Sequence, residues 1–141
     1  MRYVPTIALM LPLAVVAADA QTETSRSEPG VGMICALGIY NAVAEVGKRC
    51  FPAQDADFKA KLTQSLAKLD TYVLQNSQFT AADLPRFKQE QSGVGRAKDL
   101  VCTDDMMGMY RAAVSAGAEK LTKHVDALVA RPGKPTWGDC L

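Results

Sequence analysis

The stretch CALGIYNAVAEVGKRC, residues 35–50, decides the fold. Apolar residues recur at Cys35, Ile39, Val43, Val46 and Cys50, in steps of three and four, which is the repeat of one helix face. The pattern predicts a first helix over residues 32–51, ended by Pro52. Its two cysteines are fifteen residues apart, close to four whole turns, so both fall near one face. They are also separated by roughly 22 Å along the helix axis, whereas a disulfide needs Cα atoms within about 7 Å. Cys35 therefore cannot bond Cys50, and each must reach Cys102 or Cys140 in the second half of the chain.

Outward from that helix the periodicity continues. Phe58, Leu62, Leu66, Leu69 and Val73 form the clearest amphipathic stripe and predict a second helix over residues 55–76, with Asp55 as its cap and Asp57 at the positive end of its dipole. Thr80-Ala81-Ala82-Asp83 resembles a capping box and opens a short third helix, 81–91, whose core contacts are Leu84 and Phe87. Residues 92–95 break it, and 96–101 hold one or two further turns at most. A last, longest helix starts after Thr103, with Asp104 and Asp105 in its first turn. Its stripe is Met106, Tyr110, Val114, Ala118, Leu121, Val125 and Leu128, its stop is Pro132-Gly133, and Gly108 and Gly117 weaken its continuity. The fold class is all-α: a small disulfide-linked antiparallel bundle of about four helices over residues 32–141.

Short connections favour an up-down-up-down order, in which the last helix runs opposite to the first. Its start then meets the end of the first helix, and its tail meets the beginning. The expected bridges are Cys50–Cys102 and Cys35–Cys140, each contributing about 4 kcal/mol in the chain-entropy model. A zinc or redox site is disfavoured, because no C-x-x-C pair occurs and His124 is the single histidine.

The N-terminus has the three parts of an export signal. Arg2 supplies positive charge, residues 6–17 are apolar apart from Thr6 and Pro12, and Ala18-Asp19-Ala20 offers small residues at the cleavage positions. The expectation is a signal peptide over 1–20, cut before Gln21, and a flexible polar lead-in over 21–31. The apolar run is shorter than the ~20 residues of a membrane span. Cleavage leaves roughly 120 residues, one ordinary domain. An even cysteine count fits a periplasmic or secreted address. A formal net charge of +1 argues against nucleic acid as a partner.

No catalytic pattern stands out. Asp104 and Asp105 are adjacent, hence splayed by about 100° and unfit to share a proton. With one histidine no convincing triad can be written, and no glycine-rich phosphate loop is present. Met106, Met107 and Met109 are the residue type that binds Cu(I), although methionines at a helix start ordinarily fill a core. His124 and Met33 would lie at the same end of an antiparallel bundle, where such a pair can flank a haem. Their ordinary roles are a helix-flank histidine and a core methionine. Trp137, in a tail with Pro135, Gly138 and Leu141, either covers the end of the bundle or, with Leu141, anchors an interface. The expected function is an exported, non-catalytic module without a cofactor, binding another exported or envelope protein, of inhibitor or immunity type. The alternatives are a periplasmic copper or haem carrier and a structural or stress-related envelope protein.

Overall fold

The computed structural model describes residues 32–138. The expected signal peptide, the lead-in, Cys140 and Leu141 lie outside the described residues. The described chain is all-helical: α1 (Met33–Cys50), α2 (Ala56–Asn76), α3 (Asp83–Ser92), α4 (Lys98–Val101), α5 (Asp104–Ala116) and α6 (Ala118–Val129). No helix among the described residues is long and apolar enough to cross a membrane.

The described residues form six helices rather than about four. Residues 98–101 form a helical turn of their own, and the expected last helix is broken in two at Gly117. Gly117 has φ 90° and ψ 150°, a conformation open to glycine and strained for any side chain. Its N–H still closes α5 by donating to Ala113 O and Val114 O, and its carbonyl starts α6 by accepting from Leu121 N. The chain thus turns without losing its hydrogen bonds, and α6 leaves the line of α5.

α1 is the central helix. α2, α3, α4 and α5 all pack on it. This explains why its burial is wider than the stripe predicts. Ile34, Ala36, Leu37 and Asn41 are buried along with Val43 and Val46, whereas Cys35, Ile39 and Cys50 are only half-buried. A helix covered on several sides needs small or apolar residues all round. Gly47 is the tightest point: a Cβ there would stand 2.5 Å from Tyr110 Cε2. On α2, by contrast, Phe58, Leu62, Leu66, Leu69 and Val73 are all buried as the periodicity predicts.

The helix directions follow from paired residues. α3 packs on α1 and is tied to α2 by one ion pair, Lys88 Nζ 2.6 Å from Asp70 Oδ2. Cys102, just before α5, meets Cys50 at the end of α1, with Sγ atoms 2.06 Å apart and Cα atoms 5.7 Å apart. The same junction is held by Glu45, a buried carboxylate that accepts from Arg49 Nε at 2.9 Å and from Gly95 N at 3.3 Å. α6 lies chiefly on α2 and runs parallel to it: Lys68 pairs with Asp126, and Tyr72 donates to Arg131 O one turn further on. The tail then returns to the start of α1, where Ile34 N donates to Thr136 O at 3.0 Å. The Cys35–Cys140 pairing falls on a residue outside the described ones.

Of three caps, one forms as the sequence predicts and two differ in detail. Thr103 caps α5 by accepting from Met106 N. Asp55 does not cap α2; it sits in the left-handed region at φ 56°, and its carboxylate accepts from the Tyr110 hydroxyl at 3.0 Å. The buried phenol, 55 residues away, competes for that carboxylate and wins. At α3 only half of the capping box forms. Asp83 Oδ2 accepts from both the Thr80 N–H and the Thr80 hydroxyl, so the hydroxyl satisfies no helix N–H.

Candidate functional site

The break at Gly117 makes a concavity among the described residues. α5 stays on α1 and α6 turns onto α2, and between them opens a cleft of about 500 Å³. Small residues at the corner, Ala113, Ala116 and Gly117, leave the space empty. Ile39 and Val43 of α1, Phe58 of α2 and Leu121 of α6 supply apolar walls. The volume falls within the ~300–1,000 Å³ usual for small-ligand sites.

Three polar side chains line it: Tyr40, Lys120 and His124. Tyr40 Oη stands 2.5 Å from His124 Nδ1, with the rings edge to face. The phenol is the natural donor to a neutral imidazole, which leaves the ring proton on Nε2. Burial, and behind it the positive charge of Arg131, holds the His124 pKa below the ordinary 6.5. Burial pushes the Tyr40 phenol above its ordinary value. Both shifts favour the neutral pair. Lys120, one helical turn before His124 on the same face, brings the cleft its one charged side chain.

A pH effect follows. The unfolded chain protonates His124 more readily than the folded one, because the folded pKa is the lower. Stability from the neutral pair is complete above pH 6.5 and is lost as the pH falls through the folded value. The melting temperature of the native chain should drop more between pH 8 and pH 5 than that of His124→Gln. Parallel curves for the two would refute the link.

The other sequence candidates are dispersed. Met106 and Met109 share a face of α5 and line a second, smaller cleft against Gly38, Ile39 and Ala42 of α1, while Met107 packs on the core elsewhere. The Met-Met-Gly-Met run therefore does not converge its three sulfurs on one point. Met33 is fully buried in the core, and His124 lines the cleft with Nδ1 on Tyr40. Among the described residues, no three His, Cys, Asp or Glu side chains group to hold a metal. Trp137 is 57% exposed and touches the bundle through Phe87, ring centroids 6.0 Å apart. It covers the end of the bundle only in part.

Tyr40 and Lys120 escaped the sequence reading. Tyr40 lies one residue off the expected α1 stripe, and Lys120 reads as an ordinary solvated lysine. The available signal was Gly117 itself: a glycine amid Ala112, Ala113, Ala116 and Ala118 marks a corner where two helices part with little to fill the gap. No protein-family model, no curated protein and no solved structure matches the chain.

Proposed function

We propose that the protein is an exported, non-catalytic binding module whose site is the cleft between α1, α5 and α6. The observation that carries this reading is an apolar concavity of about 500 Å³ with only three polar side chains at its walls. Export is supported by the signal-like N-terminus and by the Cys50–Cys102 pair at bonding distance. A non-catalytic role is supported by the state of the polar groups: Tyr40 and His124 satisfy each other, and both are held in their neutral forms. This narrows the expected partner from another protein at large to apolar matter that enters a cleft.

The test is titration with N-phenyl-1-naphthylamine, an uncharged dye that fluoresces on leaving water. The native chain should show saturable binding of one dye per chain. Ala116→Trp fills the cleft from an exposed position, so it should abolish the signal while the melting temperature moves by only a few degrees. No saturable signal with the native chain, or an unchanged titration with the folded variant, would refute the site.

A further inference from the structure

We infer that the cleft takes a single-chain amphiphile with an anionic head, the tail among the apolar walls and the head at Lys120 and His124; this rests on the cleft being the binding site. The tail is accounted for by Ile39, Val43, Phe58 and Leu121, which line the interior. The head is fixed by charge. Among the described residues, Lys120 is the one charged side chain on the cleft wall, and no carboxylate lines it. Lys120 makes no ion pair among the described residues, whereas its neighbour Glu119 is engaged by Lys123 at 2.7 Å. Lys120 also stands in the first turn of α6, which has no side-chain cap. The unpaired N–H groups of such a turn favour negative charge. His124 adds a neutral donor, since Tyr40 occupies Nδ1 and leaves the proton on Nε2. A cationic head would meet Lys120 directly and Arg131 at longer range, the latter already felt by His124. A neutral head gains hydrogen bonds only.

Calorimetry at pH 8, below the micelle concentration, with dodecanoate, dodecanol and dodecyltrimethylammonium decides the matter. The tails are equal, so differences belong to the head. Dodecanoate should bind about fivefold more tightly than dodecanol, the size of an exposed ion pair, and dodecyltrimethylammonium should bind weakest. Lys120→Gln, which keeps a hydrogen-bond donor and removes the charge, should erase the advantage of dodecanoate over dodecanol. Across saturated carboxylates of growing length, each methylene should tighten binding about fourfold until the cleft is full. Equal affinity for the three heads, or an advantage that survives Lys120→Gln, would overturn the anionic preference. Dye binding that Ala116→Trp abolishes, with none of the three amphiphiles bound, would leave the site standing and sink the ligand class. Amphiphile binding that Ala116→Trp does not weaken would sink the site itself.

Discussion

Tyr110→Ala is expected to cost about 3–5 kcal/mol of stability, in the range of large aromatic deletions from a core. Tyr110 is 1% exposed and joins three helices and a loop. Its ring stacks on Phe51, centroids 4.8 Å apart, and stands perpendicular to Phe58, centroids 6.0 Å apart. The guanidinium of Arg111 lies over the Phe51 ring, 5.4 Å from its centroid, and extends the stack. α1 admits the phenol only because position 47 is glycine, so no side chain of α1 is placed to refill the space. The hydroxyl leaves the core at Asp55, in the loop before α2. Tyr110→Phe keeps the ring and removes one hydrogen bond to a half-buried carboxylate, a loss of about 1 kcal/mol. Urea unfolding of both variants reads the difference. Burial first, then Asp55, pushes the Tyr110 phenol up to about 12. An alkaline absorbance titration should therefore find a phenol ionising at about pH 12 that Tyr110→Phe removes. If the Ala and Phe variants lose the same stability, the ring packing is not what holds α5 to α1.

How much of this was legible in the sequence depends on how local each signal is. The α2 stripe was readable because its buried residues fall on one helix face, although both α1 and α6 pack on it, and period 3.6 then suffices. α1 was readable as a helix but not as the central one: Leu37 and Asn41 are buried off the expected stripe, on a helix that α2, α3, α4 and α5 all cover. The Cys50–Cys102 contact followed from helix length and short loops, both visible in the chain. The Tyr40–His124 pair spans 84 residues and depends on the rotation of α6 after Gly117. No local pattern carries that angle. Asp55 failed as a cap for the same reason, since its competitor is a distant tyrosine. Glu45 was equally hidden. An acidic residue on a helix reads as solvent-facing until a loop, here Gly95, closes over it.

Removing the Cys50–Cys102 link in a Cys50→Ala, Cys102→Ala variant is expected to cost about 4 kcal/mol, because the chain-entropy model assigns that much to a closed loop of this size. The sequence separation is 52. Domains of this kind are stable by ~5–15 kcal/mol, so the loss is a large share of the total and should show as a marked fall in the urea midpoint. Other contacts make the same junction: Glu45 to Gly95 N, Arg49 to Arg96 O at 3.0 Å, and the Tyr110 stack on Phe51. The folded state therefore keeps the α1–α5 join without the sulfurs, and the cost falls on the freed unfolded chain. Kinetics separate the two cases. If the link acts through the unfolded chain, and the loop closes before the folding barrier, the variant should fold more slowly and unfold at nearly the native rate. If unfolding accelerates instead, the bond supports the native packing directly, and the polar contacts at Glu45 and Arg49 do not suffice to hold the junction.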